Sequence, residues 1–178
     1  RYDGASNLGR EYKWGFFPGV SAGWNLHNES FWNKPLMVDR FKLRASYGVN
    51  GNLGNLGDFQ SQGAYSVGAI YQGNAAVEYT TIANPDLRWE ESRTFDVGFD
   101  ASLFNNRVSL LFDYYQRVTS NLITTLAMPK LTGFTSILTN LGSLENRGVE
   151  LEVNYSVLER RDWTWNFSFN AAFVDNKI

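Results

Sequence analysis

The sequence predicts an all-β, antiparallel fold of the transmembrane-barrel type, and three observations carry that expectation. Apolar and polar residues alternate in runs of about 9 to 15 residues, longer than the roughly 5 to 6 of soluble sheets and long enough to cross a bilayer when tilted. Short and long connections alternate between these runs. The composition, with Gly 16, Tyr 9, Phe 13 and Trp 6 against Pro 4, favours strands and turns over helices.

In the first run, residues 14–26, the even positions Trp14, Phe16, Pro18, Val20, Ala22, Trp24 and Leu26 are apolar, while the odd ones include Gly15, Gly19, Ser21, Gly23 and Asn25. Residues 39–49 give the cleanest alternation, Phe41, Leu43, Ala45, Tyr47 and Val49 against Arg40, Lys42, Arg44, Ser46 and Gly48. Residues 89–103 repeat it, with Phe95, Val97, Phe99, Ala101 and Leu103 facing away from Glu90, Ser92, Thr94, Asp96, Gly98 and Asp100.

Asn105-Asn106 then reads as a two-residue type I′ hairpin turn, because Asn tolerates positive φ. This turn sets Leu103 opposite Val108 and keeps the apolar sides of both strands together, as a real hairpin requires. The next strand carries Val108, Leu110, Phe112 and Tyr114 against Ser109, Asp113 and Arg117. Two further strands follow over residues 147–155 and 163–173, with Val149, Leu151, Val153 and Tyr155, then Trp165, Phe167, Phe169, Ala171 and Phe173, on the apolar side.

About six strands therefore cross, linked by short turns at Asn105-Asn106 and around Glu159-Arg160-Arg161 and by long loops over residues 50–88 and 121–144. Bacterial barrels keep short turns periplasmic and long loops outside. Within the first loop, residues 65–71 and 77–82 are expected to pair as an external hairpin. Trp14, Phe16, Trp24, Trp89, Trp163 and Trp165 are candidates for the aromatic girdles of such a barrel.

Composition also excludes. The chain has no cysteine, which removes disulfides, thiolate nucleophiles and Cys-type zinc sites. A formal charge of -2 supplies no basic footprint for phosphates, so nucleic acid is not an expected partner. No apolar run reaches the roughly 20 residues of a membrane-spanning helix. The mean hydropathy of -0.32 does not argue against a barrel, whose strands average lipid-facing and lumen-facing residues.

Five blocks in order, WGFFPGVSAGW, FKLRASYGVNGN, NPDLRWEESRTFDVGFD, LFNNRVSLLFDYY and LGSLENRGVELEVNY, resemble segments of the SusC/RagA family of TonB-dependent outer-membrane transporters. The opening residues Arg1 to Ser6 resemble the family's segment before the first of these strands. The resemblance implies a 22-stranded barrel in the outer membrane of a Gram-negative bacterium, filled by a plug, driven by TonB and capped by a SusD-like lipoprotein that helps capture oligosaccharides or peptides. On that basis residues 1–178 are an interior stretch of the C-terminal half of the barrel domain, without signal peptide, TonB box or plug. Six strands cannot close around a lumen, and hydrocarbon does not tolerate two open edges.

The charges expected on the lumen side are Arg40, Lys42, Arg44, Asp96, Asp100, Glu150 and Glu152, and the basic ones are expected to pair with acidic neighbours such as Glu90 and Asp113. Glu150 and Glu152 lie on one side of a strand about 6–7 Å apart, a spacing found in glycoside hydrolysis, but lumen-side alternation explains them better. Phe59, Tyr65, Tyr71, Tyr79 and Phe134 fall in the long loops, where rings stack on sugar or meet a lid. His27, the sole histidine, reads as a turn residue at the periplasmic end. Gly51, Gly54 and Gly57 in GNLGNLGDF lack the strand-loop-helix setting of a phosphate loop. Asn28-Glu29-Ser30, Asn154-Tyr155-Ser156 and Asn166-Phe167-Ser168 match the glycosylation sequon by chance in an Asn-rich chain.

No catalytic set, cofactor or metal site is expected, because no convergent nucleophile, base and oxyanion donor can be assembled from these positions. Two other readings remain open at this point: a siderophore or vitamin receptor of the same architecture, and a soluble secreted β-sandwich that binds carbohydrate with the same aromatics.

Overall fold

A computed structural model of the chain describes residues 1–32, 37–54 and 56–178, so Asn55 of the glycine-rich stretch lies outside the described residues. The described residues form twelve strands: β1 (Tyr2–Gly4), β2 (Trp14–Phe16), β3 (Gly19–Asn25), β4 (Val38–Asn52), β5 (Ala64–Tyr71), β6 (Asn74–Thr81), β7 (Glu90–Leu103), β8 (Val108–Ser120), β9 (Ile123–Ala127), β10 (Ser136–Asn140), β11 (Ser143–Glu159) and β12 (Thr164–Lys177). Three single 3-10 turns are the only helical pieces among the described residues, and none could cross a membrane.

One six-stranded antiparallel sheet, in the order β12-β11-β8-β7-β4-β3, forms the frame. It is a meander in which the hairpins β5–β6 and β9–β10 interrupt the path from β4 to β7 and from β8 to β11. The registers keep the period-two pattern aligned from strand to strand. Ala22 pairs with Ala45, Ala45 with Val97, Val97 with Tyr114, Tyr114 with Val149 and Val149 with Phe173, so one apolar face runs across all six strands. A slip of one residue anywhere would send charges through this face.

That face is not a buried core. Tyr47, Phe95, Phe167, Phe169 and Phe173 are all exposed, and among the described residues no second sheet covers them. The soluble-sandwich expectation fails here, because a sandwich buries the inner faces of two sheets against each other.

The connections at the two ends differ as expected, with two changes of detail. Asn105 and Asn106 have φ of 58° and 59°, Arg107 N–H donates to Phe104 O at 3.3 Å, and Leu103 pairs with Val108. This is the I′-type geometry expected, but Phe104 is also left-handed at φ 58°. The second turn is tighter than the expected seven or so residues, because β11 runs on to Glu159 and the chain reverses where Arg160 and Trp163 bond each other at 2.9 and 3.3 Å.

The run from Trp14 does not make one strand. It breaks at Phe17 and Pro18: Pro18 has no N–H for the ladder, its carbonyl accepts from Val49 N–H at 2.8 Å, and β2 pairs with β1 instead of with the main sheet. Phe17, at 5% exposure, turns inward and meets Trp89 edge-on with ring centroids 5.2 Å apart. Trp89 therefore belongs to a packed cluster rather than to a girdle. With Leu8 and Leu87, both essentially fully buried, these rings form a small core at the long-loop end, gathered from residues 1–18, 56–63 and 83–90. Main-chain and side-chain bonds close it, Gly9 N–H to Leu87 O at 2.8 Å and Ser61 Oγ to Leu8 O at 3.1 Å.

Candidate functional site: the polar wall and its loop end

The opposite face of the sheet is polar and holds all seven charges expected there. Arg40, Lys42 and Arg44 stand on β4, Asp96 and Asp100 on β7, and Glu150 and Glu152 on β11, each out of phase with the apolar positions of its strand. Arg44 is the one that draws partners together. Its Nε donates to Asp100 Oδ1 at 2.9 Å and its Nη2 to Asp113 Oδ2 at 3.1 Å, which ties β4, β7 and β8 across the face. Asp113 Oδ1 is 2.9 Å from the same Nη2 but is buried without a hydrogen bond, so the aligned bond to Asp113 runs through Oδ2 while Oδ1 adds only proximity of charge.

Gly98 makes this reach possible. It pairs with Arg44 on one side and Asp113 on the other, and its missing side chain leaves the path over β7 open. Asp113 in turn sits opposite Glu150, a like-charge pair that the guanidinium offsets.

Arg40 and Lys42 make no ion pair among the described residues, contrary to the general pairing expected of the basic side chains. Lys42 is directly opposite Asp100, but that carboxylate is already held by Arg44. Both cations line a recess of about 500 Å³ at the short-turn end, together with His27 and Asn28. His27 Nδ1 lies 3.3 Å from Phe41 N and 3.1 Å from Phe41 O, so a main-chain partner exists in either tautomer, as befits a turn residue. Glu150 and Glu152 share a second recess of about 300 Å³ with Asp113 and Asn170, and Asn154 Nδ2 donates to Glu152 Oε1 at 2.6 Å. Asp96 lies in a third with Arg117 and Glu150. Among the described residues no group of three or more His, Asp or Glu could hold a metal ion.

At the loop end three of the five aromatic candidates come together. Hairpin β5–β6 sets Tyr65 against Tyr79, the rings tilted by 34° with centroids 4.7 Å apart, and Phe134, between β9 and β10, meets Tyr79 edge-on at 5.3 Å. The two hairpins enclose a groove of about 350 Å³. Tyr71 is at the exposed tip of β5–β6, and Phe59 is an exposed residue of positive φ, 62°, in the preceding loop; neither joins the cluster.

The sequence reading missed the residue that joins these loops. Asn140 side chain accepts from Arg88 N–H at 2.9 Å, donates to Arg88 O at 2.9 Å and also donates to Asn121 O at 2.8 Å, imitating a strand neighbour. No local pattern announces a bond between positions so far apart.

A sheet with one continuous apolar face, one charged polar face and long structured loops at one end is the wall of a β-barrel. Residues 1–178 match the family model described as TonB dependent receptor-like, beta-barrel, and the chain belongs to that family. It is 35% identical over 178 residues to TonB-dependent receptor P39 of Formosa agariphila, covering all of this chain and 17% of that protein. It is 32% identical over 187 residues to TonB-dependent receptor SusC of Bacteroides thetaiotaomicron, covering all of this chain and 18% of that protein. The structure of the RagAB peptide importer in the closed-closed state superposes with a TM-score of 0.88 at 29% identity, over 98% of this chain and 19% of that one. The resemblance to SusC and RagA is thus borne out, and the chain spans less than a fifth of the relatives it matches.

Proposed function

We propose that residues 1–178 form part of the wall and external loops of a SusC-like, TonB-driven importer in the outer membrane of a Gram-negative bacterium. The apolar face of the sheet meets lipid, the face bearing Arg44, Asp100 and Glu150 lines the lumen, and the hairpins β5–β6 and β9–β10 stand outside the cell. The cargo is an oligosaccharide or peptide captured with a SusD-like surface lipoprotein, and no bond is made or broken on these residues. The kinship with SusC and with a peptide importer supports this reading over that of a siderophore or vitamin receptor.

The observation that carries the proposal is the unbroken apolar face across six strands, exposed in the chain itself, where a water-soluble protein rarely leaves so large a patch. Single cysteines at Phe95, Val97 and Phe99, and at Asp96, Gly98 and Asp100, test it in the full-length protein in membranes. Odd positions are expected to react only with a lipid-phase reagent and even ones only with a membrane-impermeant thiol reagent. Protection of the odd positions from both reagents sinks the wall assignment.

A further inference from the structure

The groove between the two outer hairpins has a composition that points to one kind of ligand. Its walls carry two half-buried aromatic rings, Tyr79 and Phe134, the hydroxyls of Thr125 and Thr135 and the amide of Gln60; among the described residues Glu78 is its one carboxylate and no Lys or Arg lines it. We propose that this groove holds one neutral sugar unit of the imported oligomer and discriminates against acidic sugars. The inference rests on the import reading and narrows its cargo.

Three features support it. First, the rings are set before any ligand arrives. Tyr79 is backed by Tyr65, and its hydroxyl accepts from Ala83 N–H at 2.7 Å. Phe134 follows Gly133 at φ 84°, and its N–H donates to Thr132 Oγ1 at 3.3 Å. A ring held this way gives up little rotamer freedom on binding.

Second, the polar atoms match hydroxyl groups. A sugar presents an apolar C–H side to a ring and a rim of hydroxyls that both donate and accept. Thr hydroxyls and the Gln60 amide can answer either role, and the Glu78 carboxylate accepts two donors, giving the stronger charge-assisted bonds.

Third, the charge balance is one-sided. Glu78 is the only charged residue between positions 59 and 87 apart from Asp86, so a uronate or sulfate here would face a carboxylate with no compensating cation on the wall.

The test uses the purified full-length transporter in detergent and a panel of neutral hexasaccharides, oligogalacturonate and hexapeptides, read by calorimetry. At least one neutral glycan is expected to bind, and Phe134→Ala is expected to weaken it about tenfold, the loss of one ring contact. Glu78→Gln separates this from misfolding, because it should weaken the neutral glycan while relaxing the exclusion of oligogalacturonate. Binding of peptides or acidic glycans with no neutral glycan, or a neutral glycan insensitive to both changes, overturns the proposal. Uptake that depends on the proton-motive force, measured in cells for whichever ligand binds, reports separately on the import reading: a transported peptide would leave that reading standing and remove this one.

Discussion

The carboxylate of Asp113 occupies the space that a side chain at Gly98 would need, directly across the β7–β8 ladder. A Cβ placed on Gly98 would press on Asp113 Oδ1 and on the Phe112 carbonyl, and the latter is main chain that cannot swing aside. Gly98→Ala is therefore expected to destabilise the folded barrel by about 1–3 kcal/mol, the usual cost of inserting a methyl into an occupied site. The temperature at which the full-length barrel loses its compact mobility in detergent gels would report this. An unchanged temperature would mean that the strands part more freely than the geometry implies.

The same opening lets Arg44 hold Asp100 and Asp113 together, which makes a prediction about coupling. Arg44→Leu strands two partly buried carboxylates beside Glu150 and is expected to cost about 1–3 kcal/mol, at the low end for groups that retain some water. Adding Asp113→Leu should recover part of that loss, because it removes one of the charges left behind. A double-mutant cycle on urea midpoints measures the coupling, and strict additivity of the two changes would remove Arg44 as the tie between strands.

The alternation of side chains made the main sheet legible before any coordinates. The pairing of Leu103 with Val108 and the positive φ of Asn105 and Asn106 are local consequences of a tight turn between twisted strands, so sequence carries them. What it did not carry are events that depend on partners far along the chain. Pro18 ends the first run because the ladder has no use for a residue without N–H, while Phe17 turns inward to reach Trp89. The expectation that the basic side chains of β4 would generally pair met a competition that composition cannot see: Arg44 reaches Asp100 first because Gly98 clears its path, leaving Lys42 without that partner. The hairpin β9–β10 stayed invisible because its short strands carry polar Thr residues in place of clean alternation.

The Phe17 ring is wedged between Gly15 and Gly51, where a Cβ at either position would collide with it. Phe17→Ala is expected to cost about 3–5 kcal/mol within the loop-end core. Because that core touches the six-stranded sheet only at its loop end, at Gly51 of β4, the cost should appear first as faster protease cleavage within residues 1–18, with a smaller change in the gel-shift temperature of the barrel. Joint loss of both would show that the loop core and the sheet unfold as one unit.

Phe104 makes the opposite kind of prediction. It holds φ at 58° beside Asn105 and Asn106, yet as an aromatic residue it gains nothing from the left-handed region that Asn tolerates and Gly prefers. What fixes it is its N–H, which donates to Met37 O at 2.9 Å, while Asn106 N–H donates to Asp39 Oδ2 at 2.8 Å and anchors the turn from the other side. The ring itself is 47% exposed, so removing it forfeits limited packing. Phe104→Gly keeps the main-chain bond and relieves the backbone, and it is expected to raise stability by about 0.5–1 kcal/mol; Phe104→Val, β-branched and less tolerant of positive φ, should lower it by a similar amount. Thermal midpoints of the two variants beside the parent decide the matter. If both fall together, the ring is held by contacts at the short-turn end that outweigh the backbone term.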